Sequence, residues 1–333
     1  MRPVATVTRE RGARGRRAAT TAALLAATVT AALAGCTGGG APGDDGRGSA
    51  GESEQGASPS ATGPSVLAVK LDNAAAARPH TGLDAADVVY AEQVEGGLSR
   101  LMAVYATRLP KSVGPVRSAR ESDLELLRQF DRPVLAFSGA QKKLLPLIDS
   151  APLRAETPGR ASEAYFRGSG KPAPHNLYLR PERLVPEAPG QASLTTGFRY
   201  GSAPAGGTAT ASQTVRYPAA RFVFTWSDSR DGWLVGMDGA PATTADGKRM
   251  AAATVVVQYV KVRESGFRDF LGNNTPYTET VGSGKARVLR DGRAYDVNWE
   301  REDAADGTAF TTGDGSPVNF AKGQVWVVYA KAS

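Results

Sequence analysis

Val88-Val-Tyr-Ala-Glu92 and Leu101-Met-Ala-Val-Tyr-Ala106, with Gly96-Gly97 between them, are the runs on which the fold turns. Both are short apolar segments. The glycine pair supplies a reversal, so they are expected to pair as a hairpin. Upstream, Val66-Leu-Ala-Val-Lys-Leu71 reads as a further strand. Downstream, Ser118-Ala-Arg-Glu121 has the spacing of a capping box, and Leu124, Leu127 and Phe130 follow at helical intervals. Val134-Leu-Ala-Phe137 is another strand. Gln141 to Ile148 is a short helix whose regularity Pro146 limits. The order β-β-β-α-β-α predicts a mixed sheet carrying helices.

The second half changes character. Phe222-Val-Phe-Thr-Trp226, Gly232-Trp-Leu-Val235, Ala252 to Tyr259, Ala286-Arg-Val-Leu289, Ala294 to Trp299 and Val325-Trp-Val-Val-Tyr329 read as strands. Asp231-Gly232, Asp238-Gly239, Asp246-Gly247 and Asp291-Gly292 supply turns between them. An antiparallel sheet, sandwich or partial barrel is expected. The fold class is therefore α+β: an N-terminal mixed-sheet α/β domain over 65–205, then a mainly antiparallel β domain over 212–333. The Gly/Ala/Ser/Thr-rich stretch from Gly201 to Ser212 reads as the joint between them.

Residues 1–36 have the layout of an export signal. Arg2, Arg9, Arg11, Arg14, Arg16 and Arg17 precede the uncharged stretch Ala18 to Ala34, which ends in Leu33-Ala-Gly-Cys36. That stretch is too short and Ala/Thr-rich to make a good spanning helix, which needs roughly 20 strongly apolar residues. Leu-Ala-Gly-Cys resembles the lipobox of bacterial lipoproteins. Cys36, the only cysteine in the chain, is thus the expected lipid attachment point. Residues 37–64 are Gly, Ser, Ala, Pro and acids with almost nothing to bury, as a flexible linker would be. The expected location is the extracytoplasmic face of a cell membrane.

Removing the signal also changes the charge. The whole chain is +7, with 40 basic and 33 acidic residues; without residues 1–36 the balance is 34 against 32. The basic excess lies mostly in the leader, so nucleic acid is not an expected partner. The body has no thiol for disulfide or redox chemistry.

Several stretches of the first half resemble the YerB-like lipoprotein family. They are Ala68-Val-Lys-Leu-Asp-Asn73, Ala77-Arg-Pro79, Thr81-Gly-Leu83, Ala86-Asp-Val-Val-Tyr90, Val94-Glu-Gly-Gly97, Ser99-Arg100, Val113-Gly-Pro-Val-Arg-Ser-Ala-Arg120 and His175-Asn-Leu-Tyr178. Trp233, Gly282-Ser-Gly284, Trp299 and Gly323-Gln-Val-Trp326 extend the likeness into the second half. The resemblance implies an envelope lipoprotein with an α+β part and a β part, and it implies no reaction. His80 falls where that family is usually polar and uncharged, which speaks against a catalytic role for it.

Polar residues of the first half gather at strand ends and turns, where a cleft can form. The ligand-binding candidates are Asp72, Asn73, Arg78, Asp87, Glu92, Arg100, Arg117, Ser118, Arg120, His175 and Asn176. Arg117 and Arg120 flank an expected helix start, whose free N–H groups and dipole favour anions. Arg adds planar donors suited to phosphate or carboxylate. The competing reading is a structural network in which these arginines pair with Asp72, Asp87 and Glu92. His175 is a weak candidate for a general base. A Ser-His-Asp set could use Ser118 or Ser138, but no Gly-x-Ser-x-Gly elbow is present and Ser118 reads as a helix cap. Asp72, Asp87 and Glu92 could form a carboxylate metal site, although no metal or cofactor is expected. Gly282-Ser-Gly-Lys285 lacks phosphate-loop spacing and reads as a hairpin turn. The four tryptophans, Trp226, Trp233, Trp299 and Trp326, are expected in the core.

The expected function is a lipid-anchored envelope protein of unknown activity, a binding or scaffold module for an anionic wall or lipid-phosphate ligand or for an envelope protein. The alternative is an envelope transferase or hydrolase acting on cell-wall polymers.

Overall fold

The structure, a computed structural model, describes residues 65–269 and 272–332. Cys36, the expected signal and the expected linker lie outside the described residues.

The hairpin forms as its glycine pair suggests. β2 (Val88–Gln93) runs antiparallel to β3 (Ser99–Tyr105), with Val88 opposite Val104 and Gln93 opposite Ser99. β3 pairs in turn with β1 (Leu67–Asp72), placing Asp72 directly opposite Arg100. β4 (Val134–Ala136) and β5 (Arg154–Glu156) continue the sheet in parallel with β1. β1 to β4 are mostly apolar and buried because both faces are covered, whereas β5, Arg-Ala-Glu, lies at the sheet edge. Leu67, Val69 and Leu71 join one core cluster; Val66 and Ala68 join the other.

The second half extends the same sheet. The Val325–Lys331 strand lies parallel to β2, with Val88 opposite Val325. Thr254–Val260 runs parallel beyond it, followed by antiparallel Gly282–Arg290, Arg293–Arg301 and Ala309–Thr311. The two halves therefore build one sheet. A second, antiparallel sheet is formed by Ser212–Tyr217, Ala220–Ser227 and Gly232–Met237 with two short strands. Its alternate residues Phe222 and Phe224 turn inward and meet Trp326 of the main sheet, at ring-centroid separations of 6.3 and 6.0 Å. Trp233, Trp299 and Trp326 are buried, as expected, while Trp226 is half-buried.

The Asp-Gly turns behave as their chemistry requires. Asp238-Gly239 and Asp291-Gly292 each place two consecutive residues at positive φ, the hairpin geometry that Asp and Gly tolerate. Gly282-Ser-Gly-Lys285 departs from expectation: it is the first turn-free stretch of a strand, paired with Arg301 through Asn298. Trp299 explains Gly284, because a Cβ there would sit 2.8 Å from the indole nitrogen.

The other face of the main sheet carries α1 (Glu121–Leu127) and α2 (Leu145–Ser150). α1 starts later than the sequence suggests. Arg117 N–H donates to the Lys70 carbonyl at 2.7 Å and Ala119 N–H to Gly139 at 3.0 Å, which keeps the chain extended up to Arg120. The Asp123 carboxylate then accepts the Arg120 N–H at 2.7 Å. Ser118 is therefore no helix cap. At the other end of α1, buried Arg301 donates to the Glu125 carbonyl at 3.0 Å, to Thr280 Oγ1 at 2.9 Å and to the Asp306 carbonyl at 2.9 Å. The Glu125 carboxylate accepts from Tyr277 and Thr280. These bonds fasten the first-half helix to second-half strands.

Candidate functional site

The C-terminal end of β1 is the place where polar side chains collect. β1 and β2 end there, β3 begins there, and the 116–119 segment crosses beside Leu71. Two groups of charges result, an inner one closed on itself and an outer one that is not.

In the inner group, Lys70 projects from β1 into the core and is fully buried. Its ammonium donates to Glu92 and, at 2.6 Å, to Asp123. Ser122 adds a hydroxyl to Glu92 at 2.8 Å. Burial pushes the Asp123 carboxyl up to about 6, against the pull of Lys70, because Glu92 beside it carries the negative charge. Arg120 is also buried and grips Glu95 with both Nε and Nη2, at 2.6 and 2.7 Å. Thr275 donates to the same carboxylate at 2.6 Å. The expected Arg117 and Arg120 pair is thus divided. Arg120 belongs to a satisfied ion pair, and the first turn of α1 already holds acids at Glu121 and Asp123.

The outer group centres on Asp72. Its Oδ2 lies 2.8 Å from His175 Nδ1 and 3.3 Å from Arg117 Nε, while Oδ1 accepts the Ala74 N–H at 3.1 Å. Burial alone would raise this carboxyl. The Ala74 N–H, the His175 ring and the Arg117 guanidinium outweigh it and hold Asp72 below its ordinary range. His175 Nε2 has no protein partner among the described residues. Arg100, opposite Asp72 in the sheet, is half-buried. It makes a single hydrogen bond, from Nη1 to the Ser118 carbonyl at 3.2 Å, and no ion pair among the described residues. Burial, then repulsion by Arg120 and Arg117, press its guanidinium down to about 10, with Glu95 and Asp72 offsetting only part. The Ser118 hydroxyl stands 3.3 Å from that of Ser138, which follows β4.

The remaining candidates lie elsewhere. Asp87 precedes β2, at the opposite end of a six-residue strand from Glu92, a separation of about 15–20 Å at strand rise. It accepts the Ala106 and Thr107 N–H groups at 2.7 and 2.9 Å. Asp72, Asp87 and Glu92 therefore do not converge into a metal site. Asn73 donates to Ser99 and accepts from Arg78, whose guanidinium reaches Asp238 of the second sheet. Asn176 accepts from Arg167 at 2.6 Å and orders its own loop. His80 is buried and neutral: its Nε2 lies 2.8 Å from the Asp72 carbonyl, and burial lowers the ring to about 4. A cleft of about 730 Å³ lies at the Asp87 end, lined by Asp84, Asp87, Thr107, Gln191, Tyr200 and Lys322, away from the Asp72 cluster.

Sequence reasoning missed the role of Lys70, Glu95 and Asp123. Lys70 carried a signal: a lysine inside an apolar strand needs a buried carboxylate.

The fold and this charged sheet end define an α+β protein with a polar site at strand termini. Residues 50–194 match the N-terminal domain, and residues 213–327 the C-terminal domain, of the family described as "Protein of unknown function (DUF3048)". The chain belongs to that family. It is 43% identical over 65 residues to "Putative lipoprotein YerB" of Bacillus subtilis (strain 168). That match spans 20% of this chain and 20% of the relative's length. The crystal structure of the YerB protein from Bacillus subtilis has the same fold, with a TM-score of 0.68 at 19% identity, covering 83% of this chain and 94% of that one. The resemblance carried by the first-half motifs therefore holds.

Proposed function

We propose that this protein is a lipid-anchored envelope protein, attached through Cys36 on the extracytoplasmic side, that binds an anionic group of an envelope ligand at the Asp72, Arg100 and Arg117 end of its sheet. The arrangement of residues 1–36 and the lipoprotein description of the Bacillus relative support the anchor. Arg100 carries the binding reading. A guanidinium withdrawn this far from water normally has a carboxylate in contact; this one has a single carbonyl, and Glu95 and Asp72 nearby offset only part of burial and of the repulsion from Arg120 and Arg117. A bound anion would supply the missing charge, and Arg presents paired donors that match phosphate oxygens.

Thermal unfolding in inorganic phosphate, acetate and neutral sugar tests this. Phosphate should raise the melting temperature of the wild type and leave Arg100→Met unmoved. The proposal fails if no anion stabilises the wild type, or if Arg100→Met responds equally. A docking role for the tryptophans has little to support it, since three of the four are buried. The second reading, an envelope hydrolase or transferase, is favoured by one observation, the hydrogen bond between His175 and Asp72.

A further inference from the structure

Binding an anion does not by itself account for His175. The ionised Asp72 carboxylate accepts from Nδ1, so the proton of the neutral ring is held there. Nε2 is left with a lone pair and no partner among the described residues. A lone pair repels an anion, but it accepts a proton from water or a hydroxyl. The ring is partly open, its side chain 20% exposed, against 6% for Asp72. Arg117 Nε reaches the same carboxylate oxygen, and strand pairing sets Arg100 directly across from Asp72. A proton acceptor and two incompletely neutralised guanidiniums thus surround one buried carboxylate.

Building on the anion-site reading, we propose that this sheet end hydrolyses phosphodiesters, with Arg100 and Arg117 holding the phosphate oxygens and His175 acting as general base toward water. In the step, Nε2 takes a proton from a water molecule as the water oxygen forms a bond to phosphorus. The bond from phosphorus to the leaving alcohol's oxygen breaks on the opposite side, that oxygen takes a proton from solvent water, and the imidazolium returns its proton to solvent. A phosphomonoester and an alcohol result; water is the only co-reactant and nothing is oxidised or reduced. Asp72 is a positioning residue that fixes the ring's tautomer and steadies the imidazolium. The paired arginines favour a phosphodiester over a carboxylic ester. The phosphodiester brings one negative charge and gathers more in the transition state, where guanidiniums stabilise it most.

The test uses the full chain with bis(4-nitrophenyl) phosphate, phosphatidylglycerol vesicles and poly(glycerol phosphate), which separate lipid from polymer sources of the same linkage. Wild-type protein should hydrolyse the nitrophenyl diester and one of the other two. His175→Gln should lower kcat by about 10²–10⁴-fold with KM little changed. Arg100→Met should raise KM and lower kcat together, because it removes a contact made to the bound diester and strengthened in the transition state. Asp72→Asn, which keeps the size of the side chain, should lower kcat as His175→Gln does, and circular dichroism checks that each variant is folded. Phosphate-induced stabilisation without turnover of any of the three substrates would overturn the hydrolase and leave the anion site standing. Turnover unaffected by His175→Gln would overturn the role of the ring. Absence of both stabilisation and turnover would remove both proposals.

Discussion

Arg100→Met should make the protein more stable, and the structure sets the size of the effect. Burial and two neighbouring arginines bring this guanidinium from 12.5 to about 10. At roughly 1.4 kcal/mol per pKa unit, the environment disfavours its charge by at most about 3 kcal/mol. The side chain is partly solvated, which reduces that figure. The hydrogen bond to the Ser118 carbonyl returns about 1 kcal/mol when lost. Met keeps most of the aliphatic contact of the arginine stem. A net gain of about 1–2 kcal/mol remains, which for a body of this size is a rise of about 2–6 °C in Tm. Urea unfolding followed by tryptophan fluorescence, at pH 7 in a buffer without phosphate, measures it. The same experiment in excess phosphate should narrow the gap, because only the wild type gains binding energy, about 1.4 kcal/mol at ten times Kd. A loss of more than 1 kcal/mol in Arg100→Met would refute the reasoning. It would mean that the guanidinium is satisfied where it stands and is part of the framework.

The satisfied pair next to it gives the opposite expectation. Glu95→Gln should cost about 3–5 kcal/mol in chemical denaturation, since it strands buried Arg120; a cost below 1 kcal/mol would show that the pair is dispensable. Arg301→Met should cost more than about 2 kcal/mol in the same measurement, as the Glu125 carbonyl in α1 and the Asp306 carbonyl lose their donor. For His80, the folded ring titrates near 4 rather than 6.5, so its contribution is full above pH 6.5 and fades as pH falls through 4. Asp123 acts in the opposite sense, because its raised carboxyl favours the folded state increasingly as pH falls below about 6. The useful quantity is therefore the stability difference between wild type and His80→Gln, which should shrink by about 3 kcal/mol from pH 7 to pH 4; a difference that does not vary with pH would count against a buried neutral ring. Gly97→Ala should cost at least about 1 kcal/mol, because φ is +71° and the new Cβ would lie 2.5 Å from Pro218 Cβ; thermal melts of the variant decide it.

Local chemistry carried much of this protein into view. The hairpin around Gly96-Gly97, the Asp-Gly turns, the alternation in Phe222 and Phe224, and the apolar run of Val325 to Tyr329 all formed strands or turns where the residues themselves demand them. Such features depend on neighbours a few positions apart, so the chain states them directly. The start of α1 is a near miss of the same kind: Ser118 has the right spacing for a cap, but pairing of Val116 with Leu71 keeps that segment extended for two residues more.

Other outcomes needed the folded molecule. Nothing near Val325 says that it will lie beside Val88, 237 residues earlier, and join the two halves in one sheet. The charges are the sharper case. In the sequence Arg78, Arg100, Arg117 and Arg120 look alike, as do Asp72, Asp87, Glu92 and Glu95. Strand direction sends Asp87 to the far end of β2, and register sets Arg100 across from Asp72. The loop containing His175 returns to Asp72 from 103 residues away. Electrostatic partners follow from distance and burial, which are properties of the packed chain. The sequence by itself marked the long apolar strands and placed Cys36 where a lipid anchor is expected; short or polar strands such as Arg154–Glu156, Ser212–Tyr217 and Ala309–Thr311 form only through their partners. Only the tertiary structure decided that Arg120 pairs with Glu95, that Arg100 has no ion pair among the described residues, and that His175 stands against Asp72.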